Sequence, residues 1–199
     1  MKSRSKELVD KSILAMVSAI EIYNKPNFSY REETFAILAV NSWELLFKAK
    51  WLTLNKNKLS SLYVHEKNGN IKKTRTQNPF THSLDYLVTN LIQKQEIQEE
   101  VKKNLDAVIE MRDSAIHFYH KSNELAMKLQ GIGMATLKNY VSLIKKWFDS
   151  DLSNFNFFLM PLSFITVPRT VGWISGNARF ASHTVFLPGL FGPTRPDPF

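Results

Sequence analysis

Apolar residues recur at helical spacing in five stretches of the first 150 residues. These stretches run over residues 6–23, 32–54, 81–93, 96 to about 121 and 123 to about 148. An apolar side chain at every third or fourth position is typical of a helix that buries one face. The second stretch is apolar on nearly every side, which indicates a helix in the middle of a bundle. We therefore predict an all-α bundle of four or five main helices.

A segment without helical periodicity separates the second and third stretches. Asn68-Gly69-Asn70 is an Asn-Gly turn signal, and short apolar runs at 62–64 and Ile71 flank it. We predict a hairpin or a long loop over residues 62–75, in which Tyr63 could stack on a nucleic-acid base. A solvated loop explains the same composition equally well. The region is strongly basic, since its lysines and arginine are Lys56, Lys58, Lys67, Lys72, Lys73 and Arg75.

The composition changes abruptly after residue 150. Residues 151–199 contain no lysine, but they hold six of the eight prolines and four of the seven glycines. A helix does not continue through such a sequence. We therefore divide the chain into a helical domain, residues 1–150, and an irregular, apolar, Pro/Gly-rich tail, residues 151–199. The tail is either the native end of the protein or a truncated second region.

Several classes of protein are excluded by composition. There is no cysteine, which rules out disulfides, thiolate metal sites and cysteine nucleophiles. The longest apolar stretch, residues 155–167, contains Pro161 and is too short to span a bilayer. The first ten residues mix both signs of charge and do not lead into the apolar core of a signal peptide. We expect a cytoplasmic protein with no membrane partner.

The net charge favours a polyanionic partner. The chain has 26 basic and 18 acidic residues, a formal charge of +8 and a pI near 9.6. Residues 1–150 hold 23 of the basic and 16 of the acidic residues, so the positive charge belongs to the predicted bundle. Such a surface attracts nucleic acid through its phosphates, although many basic proteins bind none.

The fourth predicted helix carries the residues best suited to chemistry. Arg112, Asp113, His117 and His120 share a face about 140° wide, and this face adjoins an apolar stripe. A neutral imidazole can take the proton of an RNA 2′-hydroxyl or protonate the leaving oxygen, and a guanidinium can stabilise charge on the phosphorane. This set therefore supports metal-independent RNA cleavage. The stripe predicted to face the bundle consists of Leu105, Val108, Met111, Ala115 and Phe118.

Other interpretations of these residues remain open. Arg, Asp and His are also common as plain surface residues of a helix. His117 and His120 are spaced to share a metal ion, but no further ligand motif accompanies them, so we predict no metal site and no cofactor. No glycine-rich phosphate loop and no serine nucleophile motif is found.

The second predicted helix offers supporting residues. Asn41, Glu44 and Lys48 fall on one side of it, and Glu44 and Lys48 are spaced for an ion pair. We expect these groups either to form a structural network or to face the functional cleft. Arg31, at the start of the helix, is expected either to contact a phosphate or to form a local ion pair with Glu32.

The segment from Arg112 to His117 resembles the R-x4-H signature of the HEPN superfamily, the higher eukaryotes and prokaryotes nucleotide-binding domains. Three ordered blocks narrow the resemblance to the DUF3644 family, a HEPN-related group without a settled function. The blocks are residues 21–26 (EIYNKP), 30–35 (YREETF) and 41–50 (NSWELLFKAK), and residues 157–163 (FFLMPLS) extend the match. The three blocks and the R-x4-H helix cover roughly residues 5–150.

This resemblance implies a fold and a function. HEPN proteins are helical bundles that commonly form homodimers with a shared cleft, and many are metal-independent endoribonucleases of phage-defence or toxin–antitoxin systems. In that case Arg112 would bind phosphate, His117 would be the general acid or base, and Asp113 would orient them. Tyr119 extends the motif to R-x4-H-x-Y, seen in toxins whose antitoxin modifies the tyrosine; it is equally well read as a core residue. The alternative is a non-catalytic dimerisation or RNA-binding module.

Overall fold

The described part of the chain forms five α-helices, which confirms the predicted all-α fold. The computed structural model describes residues 2–25, 27–117, 122–152 and 155, with side chains for all of these except 115–117 and 122–130. All of them belong to one compact unit, residues 1–165. Most of the predicted tail lies outside the described residues. The helices are α1 (Arg4–Tyr23), α2 (Arg31–Leu54), α3 (Leu84–Gln93), α4 (Glu99–His117) and α5 (Ser122–Phe148), with a short 3-10 turn at Leu59–Leu62.

Local capping sets where the helices begin. The Ser3 side chain accepts a hydrogen bond from the backbone N–H of Lys6, so α1 starts two residues earlier than its apolar pattern predicts. Ser83 caps α3 in the same way, by accepting from the N–H of Tyr86 at 3.2 Å. Helix α3 consequently starts at Leu84 rather than at the predicted Thr81. The two residues before Ser83 are used in backbone pairing within the loop.

Helix α4 also begins three residues later than predicted, at Glu99 rather than at Glu96. Gln95 has a φ of 58°, a left-handed conformation that ends the preceding helix. Its backbone N–H donates to the carbonyl of Ile92, and that of Glu96 donates to the carbonyl of Leu91. Ile97 then enters the core, so this segment closes α3 before α4 starts.

Helix α2 is the central helix, as its nearly all-round apolar pattern predicts. It packs against each of the other four helices. Its side chains Trp43, Leu46 and Phe47 are at most 1% exposed. The Trp43 ring packs edge-on to Tyr140 of α5, with ring centroids 5.5 Å apart. The apolar side chains of α2 are therefore buried against all four other helices and hold the bundle together.

Neighbouring contacts give the directions of the helices. Ser12 hydrogen-bonds to Ser42, and the Tyr23 ring lies 5.5 Å from that of Phe35, so α1 and α2 are antiparallel. Tyr140 contacts Trp43, and Trp147 lies 6.1 Å from Phe47, so α5 runs parallel to α2. Helix α4 packs along α2 and begins beside the C-terminal end of α2, so it runs back toward the start of α2.

The predicted basic hairpin is present but forms part of a larger loop. Gly69, with a φ of 84°, occupies the first turn, and His65 pairs with Ile71 across it. The chain then makes a second turn and returns to its starting point. Backbone bonds of 2.7 to 2.8 Å close a cycle, in which Val64 donates to Phe80, Phe80 to Lys72 and Lys72 to Val64. We call residues 62–82 the three-segment ring; its extended segments are 62–66, 70–74 and 78–82.

Candidate functional site

Arg112 and Asp113 form a local ion pair on α4. Both Nε and one terminal nitrogen of the guanidinium donate to the same carboxylate oxygen of Asp113, at 2.9 and 2.8 Å. The Arg112 side chain is 32% exposed and that of Asp113 is 52% exposed. A pair this exposed adds little stability, because water screens it. Its effect is to hold the guanidinium in one orientation while leaving its other N–H groups available to a ligand.

The buried stripe of α4 positions this pair. Leu105, Val108 and Met111 are buried, as predicted, and Arg112 follows directly after the last of them. The guanidinium therefore lies at the boundary between core and solvent. The side chain of Ala115 and the whole of Phe118, which complete the predicted stripe, lie outside the described residues.

The histidine candidates can be placed only in part. His117 is the final residue of α4, and the helix is continuous from Arg112 to it. Five residues of helix separate their Cα atoms by about 7.5 Å along the axis and about 140° around it. The side chain of His117 is outside the described residues. His120 and Tyr119 are also outside them.

Three of the four predicted residues of α2 have local partners. Lys48 donates to Glu44 at 2.6 Å, which confirms the expected ion pair within the helix. Asn41 is exposed. Arg31 donates to Glu32 at 2.9 Å, the local ion pair that was one of its two predicted roles. The Arg31 guanidinium also lies 5.7 Å from the centre of the Tyr23 ring.

Helix lengths place Arg112 near Arg31 rather than near Lys48. The Lys50–Glu96 ion pair, 2.9 Å long, joins the C-terminal end of α2 to the segment that enters α4. With a rise of 1.5 Å per residue, Arg112 lies about 20 Å beyond the start of α4. Along α2, Arg31 is about 28 Å from Lys50, whereas Lys48 is only about 3 Å from it. Arg31 is therefore the α2 candidate at the Arg112 end of the bundle.

The same end of the bundle has two buried acceptors that the sequence did not indicate. Asn24 Oδ1 and Glu33 Oε2 are buried and have no hydrogen-bond partner among the described residues. They lie on either side of the connection between α1 and α2, next to Arg31. Burial of the Tyr23 hydroxyl, followed by the nearby Glu32 carboxylate, raises the pKa of that tyrosine. Buried acceptors without partners are costly, so this corner is suited to receiving hydrogen-bond donors.

Lys50 is a further residue that sequence analysis missed. Besides its pair with Glu96, its ammonium lies 5.2 Å from the centre of the Trp147 ring. Both charged side chains are largely buried, at 13% and 21% exposed. Lys50 thus ties α2 to the start of α4 and to the end of α5, which is a structural role. Its partners lie far along the chain, so no spacing rule could have identified them.

Neither a metal cluster nor a bilayer-spanning helix is found among the described residues. No three of their His, Asp and Glu side chains are grouped so as to hold a metal ion. None of the described helices combines the length and apolarity needed to cross a membrane.

Comparison with known proteins gives one match. The family model for DUF3644, a domain of unknown function, matches residues 7–181. No curated protein and no solved structure matches the chain. The matched range includes α2 to α5 and all but the first three residues of α1, and it contains every candidate residue described above.

Proposed function

The chain belongs to the DUF3644 family, and from this and the arrangement on α4 we propose that it is a metal-independent endoribonuclease of the HEPN type. The observation that carries the proposal is the oriented guanidinium of Arg112, held by Asp113 at the edge of the core on an uninterrupted helix that reaches His117. An arginine and a histidine are enough for RNA cleavage, because the substrate supplies its own nucleophile.

In the proposed reaction, the 2′-oxygen of one nucleotide attacks the adjacent phosphorus, and the bond from phosphorus to the 5′-oxygen breaks. The products are a 2′,3′-cyclic phosphate and a 5′-hydroxyl end. His117 either accepts the proton from the 2′-hydroxyl, while water protonates the leaving 5′-oxygen, or donates a proton to the leaving 5′-oxygen, while water accepts the proton of the 2′-hydroxyl. Arg112 stabilises the negative charge that gathers on the non-bridging oxygens, and Asp113 keeps it oriented.

We further propose that two subunits form a homodimer with a shared cleft, acting on cytoplasmic RNA. A nuclease of this kind needs control, so we place it in a bacterial defence or toxin system with a regulatory partner such as an antitoxin. Support comes from the resemblance to HEPN proteins and from the position of Arg112, on the solvent edge of α4.

The test is cleavage of a labelled single-stranded RNA in EDTA. We expect the wild-type chain to cleave, and we expect Arg112→Ala and His117→Ala each to lower the rate at least 100-fold, the range typical for loss of a transition-state donor or an acid–base group. The matched control is Lys103→Ala, which removes an exposed cation of α4. This control should cleave like the wild type.

Three outcomes would contradict the proposal. Equal cleavage by all variants would mean that the activity resides elsewhere or in a contaminant. Cleavage only with added divalent metal would indicate another mechanism. RNA binding that survives in both variants, without any product from the wild type, would instead support the non-catalytic module. Sedimentation of the same samples should show a dimer.

A further inference from the structure

Residues 56–82, which are the three-segment ring and the turn that leads into it, form a strongly cationic surface. Residues 56–82 contain six basic residues and one acidic residue, Glu66. All six cations are exposed. The ion pairs of the described residues lie elsewhere, on the helices and their ends, so no carboxylate neutralises these six groups. Clustered exposed cations repel one another, and they favour a polyanionic partner.

The ring is an ordered surface rather than a solvated loop. Beyond the cycle of backbone bonds, Thr74 N–H donates to the carbonyl of Asn78 at 2.8 Å, and Glu66 N–H donates to that of Asn70 at 2.8 Å. The Asn68 side chain accepts from the Asn70 N–H at 2.9 Å and stabilises the first turn. A surface fixed in this way loses little conformational entropy when it binds a ligand.

Aromatic faces lie among the cations. Phe80 is 41% exposed, and the Lys72 ammonium lies 5.0 Å from the centre of its ring. Next to the ring, Tyr86 is 38% exposed and stacks on His82 with centroids 3.9 Å apart and planes 10° apart. Tyr63, the stacking residue suggested by the sequence, instead packs against the core. Phe80 and Tyr86 are therefore the exposed rings available to a nucleic-acid base.

His82 adds a ring face rather than a fixed charge to this surface. Burial, followed by the charge of nearby His65, lowers the pKa of His82. Its imidazole is therefore neutral and takes part in stacking. Alternating phosphates and bases match a surface that alternates fixed cations and ring faces, whereas a duplex hides its base faces.

We propose that the three-segment ring, extended by Tyr86, is a docking surface for single-stranded RNA. Lys72, Lys73 and Arg75 bind phosphates, and a base stacks on Phe80. Only the choice of RNA over DNA rests on the proposed function. The ring follows the C-terminal end of α2, whereas Arg112 lies toward its start, about 20 Å away along the bundle. Docking and cleavage therefore use separate residues.

Fluorescence anisotropy with a 2′-O-methylated single-stranded RNA of about 20 nucleotides in EDTA tests the phosphate contacts. Methylation blocks cleavage, so only binding is measured. We expect Lys73→Gln/Arg75→Gln to weaken binding about tenfold and to make the slope of log affinity against log salt shallower by about 1.4. The matched control, Lys103→Gln/Lys138→Gln, removes two exposed cations of α4 and α5 and should bind within about twofold of the wild type.

A second set of variants tests the stacking of a base on Phe80. Phe80→Ala should weaken binding about tenfold without changing the salt slope, and Phe80→Trp should restore it. The control is Phe28→Ala, which removes an equally exposed phenyl group, at 40%, that lies outside the three-segment ring. It should leave RNA affinity unchanged. Circular dichroism establishes that each variant keeps the helical fold.

The proposal is overturned if the loop variants bind like the wild type, or if the control pair loses as much affinity as they do. Tighter binding of duplex RNA, or binding of anionic vesicles in place of RNA, would also overturn it. Loss of affinity in the loop variants, with no cleavage of unmodified RNA by the wild type, would leave docking intact and refute the nuclease. If the loop variants keep both full affinity and full cleavage, docking at the three-segment ring is refuted and the nuclease proposal stands.

Discussion

At the scale of single residues, a buried hydroxyl network joins α1, α2 and α5. Ser12 and Ser42 each donate to the other's backbone carbonyl, at 2.7 and 2.8 Å. Since the only hydroxyl proton of Ser12 is used in this way, the hydroxyl of Tyr140, 2.8 Å away, donates to Ser12 Oγ. Burial raises the pKa of Tyr140, which keeps it a protonated donor. The network fixes three helices at one level of the core.

Tyr140→Phe should lower the free energy of unfolding by about 1–2 kcal/mol, because it removes one buried hydrogen bond and keeps the ring. Urea denaturation followed by circular dichroism measures this. The matched control is Tyr86→Phe, which changes an exposed tyrosine and should have an effect below about 0.5 kcal/mol. Equal losses in the two variants would show that the network contributes nothing beyond the aromatic packing.

At the scale of elements, two glycines illustrate opposite uses of the same residue. Gly131 lies inside α5, which continues through it, and an added Cβ would meet no atom within 4 Å. Gly69 also has space around it, but its φ of 84° is one that other residues rarely adopt. The two glycines therefore differ in backbone conformation and not in the space available for a side chain.

Gly131→Ala should raise the free energy of unfolding by about 0.8 kcal/mol, since alanine has the better helix propensity and no clash opposes it. Gly69→Ala should lower it by about 1 kcal/mol, because of the left-handed conformation of the turn. Thermal unfolding of both variants checks the signs. A stabilising Gly69→Ala, or a destabilising Gly131→Ala, would contradict the account of these elements.

Sequence periodicity predicts the helices well and their starts less well. The apolar positions of α2 and α4 follow directly from helical spacing, because burial of one face requires it. The starts of α3 and α4 were misplaced by three residues, since backbone pairing of the loop and a left-handed Gln95 override the apolar pattern. The closing of the three-segment ring joins residues 62 and 82, which are too distant along the chain for any local rule.

At the scale of the whole molecule, the two functional proposals occupy different ends of α2. The three-segment ring follows the C-terminal end of α2, and the Arg112–Asp113 pair lies toward the start of α2. Contacts between sequence neighbours, such as Arg112 with Asp113, could be predicted from the sequence. The Lys50–Glu96 pair and the buried acceptors Asn24 and Glu33 could not, because they depend on how the helices pack.

The central claim is that Arg112 and His117 cleave RNA by using its own 2′-hydroxyl. Mass spectrometry of the RNA fragments produced in EDTA tests this most directly, because the end groups record which oxygen attacked. We predict 2′,3′-cyclic phosphate and 5′-hydroxyl ends from the wild type, and their loss in Arg112→Ala and His117→Ala. Fragments with 3′-hydroxyl and 5′-phosphate ends, or identical products from both variants, would contradict the claim.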